Sequence, residues 1–199
     1  MQLHTVVHDG LLRVMEGSLI QGCLMLKWIR HSGLAGVLLL ALSVNAQPVS
    51  ESKWKAAFIY NVVRFSEWPA ETVFDNDTIN VCISVNSALS RSSDQLNNRT
   101  VNGKRLVIWA WQPSPDAPRL CHVLYTWAND REYLRQIQND LTMKSVLTIA
   151  DDDGGGDDGS IITMHTNQKK IVFDINMRAA KKARLSLSSN LLRLARTVQ

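Results

Sequence analysis

Residues 53–69 read KWKAAFIYNVVRFSEWP, and their apolar side chains recur at the three- and four-residue spacing of an α-helix. The predicted apolar face holds Trp54, Ile59 and Val63 with Phe58, Val62 and Phe65. The predicted polar side holds Lys55, Asn61, Arg64 and Glu67. Since Pro69 cannot donate to a helical ladder, the helix should end near Glu67. Trp68 then lies at the end of the helix.

The simplest interpretation of this stretch is a surface helix that packs its apolar face on a core. The alternative gives Trp68 or Arg64 a role in binding a ligand or a partner. The residues by themselves leave both interpretations open.

The segment before the helix has the pattern of an export signal. From Met25 the chain reads MLKWIRHSGLAGVLLLALSVNA, with two cations, an apolar run of about a dozen residues and a small-residue cleavage site after Ala46. The run is shorter than the ~20 residues of a transmembrane helix. We therefore predict a signal peptide over residues 25–46, preceded by an upstream extension or a misassigned start at residues 1–24. Residues 47–52 form a short linker, and one domain covers residues 53–199.

Composition favours a single compact domain and disfavours nucleic-acid binding. The chain has 199 residues, 45% of them hydrophobic, and a net charge of +4. Its cations concentrate near residues 178–184 and 193–196, whereas its aromatic residues lie elsewhere. A nucleic-acid surface would combine the two, so these cations are interpreted as a solvated helix surface.

Removal of residues 1–46 would leave Cys82 and Cys121 as the cysteines of the exported chain. In an oxidising compartment such a pair is usually a disulfide. The rival interpretation makes Cys121 a nucleophile beside His122. Adjacent residues on a strand point to opposite faces, which disfavours a thiolate pair and supports the structural bridge.

Hydrophobic patterning predicts an α/β fold with a mixed sheet of about five to six strands flanked by helices. The predicted strands are residues 78–85, 105–111, 120–126, 145–150, 160–165 and 170–175. The predicted later helices are residues 87–97, 130–141, 177–183 and 188–197. Asn176 should cap the third of these. The last should align Leu187, Leu191, Leu194 and Val198 on one stripe.

The strand at residues 145–150 is followed by DDDGGGDDGS, which invites a metal interpretation. An EF-hand loop starting at Asp151 would need glutamate at its twelfth position, where Ile162 stands. A solvated loop is therefore the better prediction, and weak calcium binding is the alternative. Because ligands of open α/β sheets gather beyond the carboxyl ends of strands, Asp151 marks a candidate rim.

The sequence lacks the recognisable motifs of an enzyme. It contains no nucleophile elbow, phosphate-binding loop or zinc pattern, and His122 and His165 are the histidines that follow the signal segment. The residues predict no catalytic centre, no metal and no cofactor. They indicate an exported binding or regulatory domain.

Several stretches together resemble the YfiR-like family. KAAFIYNVVRFSEWP, VCISV, CHVLY, VLTIAD, KIVFDINMRAA and LSLSSNLLRLA occur in the order and spacing of that family, over about residues 53–196. The resemblance implies a periplasmic, non-enzymatic repressor that binds the periplasmic sensor domain of an inner-membrane diguanylate cyclase and keeps cyclic-di-GMP synthesis low.

The resemblance also implies an outer-membrane lipoprotein that sequesters the repressor, and it leaves a homodimer open. Cys82 and Cys121 match the family's bridge positions. A second cysteine pair of some relatives is replaced here by the aspartates and glycines of the loop, so a redox switch that needs this pair is not expected.

Partner binding needs anchored aromatic or charged groups rather than a catalytic residue. The candidate contacts are Arg64, Trp68, Trp127, Asp151, Asp174 and Asn176. A small-molecule sensor, with an amino acid or nucleotide fragment beside Trp68, is the alternative function.

Overall fold

The computed structural model of the protein describes residues 50–114, 121–152, 159–167 and 170–199. The signal-peptide and start-site predictions lie outside the described residues. So does the central part of the glycine-rich loop, residues 153–158, and with it the calcium alternative.

The opening stretch forms helix α1, Glu51–Arg64, which buries Ala56, Ile59, Val62 and Val63. The predicted end near Glu67 is wrong, because Phe65 already leaves the helical conformation. The next two residues form strand β1, Ser66–Glu67, which pairs antiparallel with strand β9, Ser186–Leu187. The Ser66 hydroxyl donates to the carbonyl of Val62 at 2.7 Å. The chain therefore turns into a strand before Pro69 can end the helix.

The remaining described strands form one mixed sheet in the order β10-β8-β7-β6-β5-β2-β4-β3. Their bounds are β2 Thr78–Ser84, β3 Thr100–Val101, β4 Lys104–Trp111, β5 Val123–Trp127, β6 Leu147–Asp151, β7 Ile162–Asn167, β8 Lys170–Ile175 and β10 Thr197–Val198. Strands β4, β2, β5, β6 and β7 are parallel to one another. Strand β8 runs antiparallel to β7, β3 runs antiparallel to β4, and β10 is parallel to β8.

The α/β class, the mixed sheet and all six predicted strands are confirmed, but the sheet is larger than predicted. The prediction missed β1, β3, β9 and β10, which are two residues long each. A pair of residues is too short to show an alternating pattern. Their positions depend on pairing with distant segments.

The later helices differ from the predictions mainly at the chain's end. Helix α2 spans Arg131–Met143, and α3 spans Met177–Lys182. The segment predicted as a helix over residues 87–97 is a 3₁₀ helix, Ala88–Gln95. The predicted last helix is shorter, since α4 covers Ser189–Leu194 and β10 follows. Leu191 is buried, whereas Leu194 is 70% exposed, so the predicted stripe ends at Leu191.

The core is divided between the two faces of the sheet. On one face α1 packs on β-strand residues such as Val81, Tyr125 and Ile149, and Phe58 contacts Phe173 with ring centroids 5.0 Å apart. On the other face α2 contributes Leu134 and Leu141 to a smaller cluster that contains Cys82 and Cys121.

The predicted disulfide between Cys82 and Cys121 is confirmed. It fastens β2 to the residue that precedes β5 by two positions, with 39 residues of sequence separation. Cys121 is buried and bridged, so it is not a free nucleophile.

No helix within the described residues is both long enough and apolar enough to cross a membrane.

Candidate functional site

An aromatic and an acidic side chain lie next to each other where the parallel strands β5 and β6 end. Trp127, the last residue of β5, is paired in register with Asp151, the last residue of β6. These two predicted candidates therefore lie side by side. Together with Lys55, Tyr125 and the next carboxylate, Asp152, they form what we call the carboxyl-edge cluster.

Asp151 is held on the α1 face of the sheet. Its side chain is 1% exposed, and its Oδ2 lies 2.7 Å from Nζ of Lys55. The Tyr125 hydroxyl donates to the same oxygen. Lys55 also lies 2.8 Å from Glu51 and 5.4 Å from the centroid of the Trp127 ring. The buried carboxylate is thus neutralised by a lysine from the first turns of α1.

The protonation of this pair follows from its partners. Burial lowers the pKa of Lys55, but hydrogen bonds to Asp151 and Glu51 outweigh it and leave that pKa above its ordinary value. The hydrogen bond from Lys55 lowers the pKa of Glu51. Lys55 is therefore a charged structural lysine rather than a nucleophilic amine.

Asp152 lies on the opposite face of the sheet, because neighbouring residues of a strand alternate. Its Oδ1 is 2.6 Å from Nη2 of Arg131, the first residue of α2. Its backbone carbonyl accepts a hydrogen bond from Nδ1 of His165 at 3.0 Å. Consecutive carboxylates thus bind cations from two different helices, one on each face.

Asp174 belongs to the same edge through His165. Nε2 of His165 is 3.1 Å from Oδ2 of Asp174, and Nε of Arg196 donates to its Oδ1 at 2.9 Å. The hydrogen bond from Arg196 is the main cause that lowers the pKa of Asp174, with a smaller contribution from His165. Arg196 immediately precedes β10, so this ion pair fastens the end of the chain to β8.

Asn176 has the capping role that the sequence predicts. Its Oδ1 accepts a hydrogen bond from the backbone N–H of Ala179 at 2.9 Å, which makes it the N-cap of α3. It follows the end of β8 and so lies at the opposite edge of the sheet from Asp151.

Arg64 and Trp68 also lie away from the carboxyl-edge cluster. Lys55 and Arg64 stand near opposite ends of α1, which is about 21 Å long at 1.5 Å per residue. The carbonyl of Arg64 accepts from Asn102, in the turn before β4. Trp68 is partly buried and meets Phe74 edge to face, with ring centroids 6.0 Å apart. The six candidates are thus distributed over two edges of the sheet.

His122 supports the aromatic group around Trp68. Its ring stacks on Phe74 with centroids 4.7 Å apart. Its Nδ1 accepts from the N–H of Asn80 at 2.9 Å, and its Nε2 lies 2.9 Å from the carbonyl of Val73. Burial lowers the pKa of His122, so the ring is neutral at pH 7 and its role is structural.

A cavity of about 410 Å³ opens beside His122. Its lining includes Glu71, Val73, Asn80, His122, Met143, Lys144 and Arg184. The cavity is large enough for a small organic molecule.

The sequence reasoning missed the partners of the carboxylates, above all Lys55. We predicted it on the polar side of α1, but it is 5% exposed. A signal was present, since Lys55, Ile59, Val62 and Ser66 follow the same helical spacing and all are buried. Arg131, Asp152, His165 and Arg196 had no comparable signal, because their contacts join segments far apart in the chain.

The side chains of this edge hold one another in place by ion pairs and hydrogen bonds, an arrangement typical of a structural or binding role. Asp151, Asp152 and Asp174 are each held by a cation. Among the described residues no group of three or more His, Cys, Asp or Glu side chains is placed to hold a metal ion.

Comparison with known proteins agrees with this fold. None of the curated proteins matches the chain. A solved structure, of a conserved domain protein from Vibrio cholerae O1 biovar El Tor, is similar with a TM-score of 0.50 and 12% sequence identity. The similarity covers 76% of this chain and 61% of that one, and at this identity it concerns the fold alone. The family described as YfiR/HmsC-like matches residues 52–196. The chain therefore belongs to the YfiR/HmsC-like family.

Proposed function

We propose that this protein is a periplasmic regulator that binds the periplasmic domain of an inner-membrane diguanylate cyclase and represses cyclic-di-GMP synthesis. The observation that carries the proposal is the family match over residues 52–196, almost the whole described part of the chain. Proteins of this family are periplasmic regulators rather than catalysts. The closed ion pairs of the carboxyl edge are in keeping with a binding role.

Repression of this kind requires no chemistry. A protein that binds one of two conformations of its partner more tightly shifts the partner toward that conformation by the difference in binding free energy. The required feature is a surface with a few anchoring side chains.

Three of the six candidates are at least partly exposed and are not held by an ion pair or a helix cap. Arg64 is exposed, and Trp68 and Trp127 are partly exposed. Asp151 is buried, Asp174 is bound by Arg196 and Asn176 caps a helix. We therefore place the contact with the cyclase on Arg64 and Trp68, with Trp127 as the accessible residue of the opposite edge.

The test is genetic. Deleting the gene in its host should raise cyclic-di-GMP, and the wild-type gene should restore the low level. The Trp68→Ala and Arg64→Ala variants should fail to restore it while they fold normally by thermal melting. An unchanged cyclic-di-GMP level after deletion, in a strain that carries the cyclase, would refute the proposal.

We further propose that an outer-membrane lipoprotein relieves repression by sequestering this protein. Overproducing that lipoprotein should raise cyclic-di-GMP only in a strain that has this gene. A rise in the deletion strain would contradict sequestration.

The second candidate function is a small-molecule sensor. The cavity of about 410 Å³ beside His122 favours it, since the Phe74 ring links this cavity to Trp68. The Nε1 of Trp68 is buried with no hydrogen-bond partner in the described residues. A thermal-shift screen of amino acids and nucleotides should identify a stabilising ligand. A screen in which none raises the melting temperature would count against the sensor.

A further inference from the structure

The surface beside α3 has an excess of positive charge. Residues 170–199 contain seven lysines and arginines but one acidic residue, Asp174, which Arg196 and His165 already contact. On α3 the exposed cations are Arg178, Lys181 and Lys182, and no ion pair joins them to any described residue. Arg178 and Lys182 are four positions apart, a spacing at which like charges repel and destabilise a helix. An anion between them would remove this repulsion.

A cavity lies next to these cations. It has a volume of about 320 Å³ and is formed between the C-terminal half of α2 and α3. The described residues of its wall are Gln138, Asn139, Thr142, Gly159, Asn176, Arg178, Ala179 and Lys182. No carboxylate is among these described residues, so within the described part of the wall the charges of Arg178 and Lys182 are not balanced.

One buried polar atom in the wall indicates what else the occupant must provide. Nε2 of Gln138 donates to the carbonyl of Gly159 at 3.0 Å, which fixes the orientation of the amide. Its Oε1 is buried and accepts no hydrogen bond from the described residues. An unpaired buried acceptor destabilises the folded protein, because the atom has lost its hydrogen bond to water. An occupant that supplied an N–H group here, after a rotation of the Gln138 side chain that opens this atom to the cavity, would satisfy the acceptor.

A second cavity follows the first, but its charges are balanced, because Arg184 pairs with Glu71 and Asp75 also lines it. Thr142 lines the first cavity, whereas its neighbours Met143 and Lys144 line the cavity of about 410 Å³. On the other wall, Lys182 lines the first cavity and Arg184 the second. The two cavities thus follow each other along the boundary between α2 and α3. An extended occupant of the first cavity would reach Lys144 in the second, a cation with no ion pair to any described residue.

We propose that the cavity between α2 and α3 binds an acidic peptide segment of a partner protein. Arg178 and Lys182 pair with its carboxylates, and the Gln138 Oε1 accepts a hydrogen bond from a backbone N–H. A peptide provides carboxylates and N–H donors along one extended chain, which a free dicarboxylate does not. Only the identity of the partner rests on the proposed function: if that function is correct, the acidic segment belongs to the cyclase.

The test uses the purified protein and a hexaglutamate peptide, with binding measured by calorimetry and by amide chemical shifts at physiological salt. We expect Arg178→Glu/Lys182→Glu to weaken binding at least tenfold and Gln138→Leu to weaken it severalfold. The matched control is Lys53→Glu/Arg91→Glu, which makes the same change in net charge at exposed positions elsewhere. Thermal melting establishes that each variant folds.

Shift changes should concentrate on Gln138, Asn139 and Gly159. Three results would overturn the inference: no binding of the peptide, equal weakening in both charge-reversal pairs, or equally tight binding of succinate. The result is independent of cyclic-di-GMP levels. The peptide site can therefore fail while the proposed repression stands, and the reverse is also true.

Discussion

Lys55 is the residue whose environment differs most from its sequence pattern. Polar composition suggested a solvated position, yet the side chain is buried between Asp151, Glu51 and the Trp127 ring. Its partner lies 96 residues away, so no local pattern could reveal the ion pair. By contrast, the position of Asp151 at the end of a buried strand is predictable, because strand ends can be located from hydrophobic runs.

Lys55→Met should destabilise the protein by about 3–5 kcal/mol, because the buried Asp151 carboxylate would lose its cation. Urea unfolding measures the loss. Lys53→Met is the control, since Lys53 is exposed and a surface substitution should change stability by about 0.5 kcal/mol or less. The double variant Lys55→Met/Asp151→Leu should recover much of the stability. If Lys55→Met behaved like Lys53→Met, the ion pair would have no structural role.

Asp174 should make stability depend on acidity. Because the folded-state pKa of Asp174 lies below its ordinary value of 3.8, its contribution is present above that value and is lost as the pH falls through the folded pKa. Asp174→Asn lacks this contribution at every pH. The difference in urea midpoint between the wild type and Asp174→Asn should therefore shrink between pH 6 and pH 3. A difference that stayed constant would show that the contact with Arg196 does not favour the charged carboxylate.

At the scale of elements, the long strands and the capped helices follow from local sequence, and the short strands do not. The strands β2, β4, β5, β6, β7 and β8 all coincide with predicted apolar runs. The predicted last helix is too long because its apolar spacing continues to Val198, whereas the chain leaves the helix after Leu194 to pair with β8. Whether residues 195–198 continue the helix or form a strand depends on the open edge of β8 and on the Arg196–Asp174 contact, which only the assembled sheet provides.

Asn176→Ala should remove the N-cap of α3 and lower stability by about 1 kcal/mol. Asn190→Ala is the control, since that side chain is exposed and contacts only Arg193 in the described residues. Asn176 lines the cavity between α2 and α3, but its side chain is used by the cap and not by the proposed peptide contacts, so its alanine variant should still repress the cyclase once folded. A loss of repression at unchanged stability would assign it to the contact surface instead.

At the scale of the whole molecule, the disulfide connects the centre of the sheet. It joins β2, which lies between β4 and β5, to the segment that leads into β5. The sequence was sufficient to predict this bridge, since export would leave two cysteines. It could not predict that the bridge would be covered by α2, because this depends on how Leu134 and Leu141 pack.

Replacing both Cys82 and Cys121 with alanine should cost about 4 kcal/mol, the entropy of closing a loop of about 40 residues in the unfolded chain. Urea unfolding of the wild type with and without reductant provides the comparison, and the reduced wild type should match the double variant. Equal stability of the oxidised and reduced proteins would contradict a stabilising bridge.

The adjacent carboxylates Asp151 and Asp152 make the end of β6 a mechanical junction between the two helical layers. Asp151 binds α1 on one face and Asp152 binds α2 on the other, so we expect a displacement of either helix to affect the other through the peptide bond between these residues. Loosening α1 by Lys55→Met should therefore accelerate hydrogen exchange in the first turn of α2 as well as in α1. Acceleration confined to α1 would show that the layers respond independently. Coupling of this kind would let a partner bound on one face of the protein alter the structure of the other face.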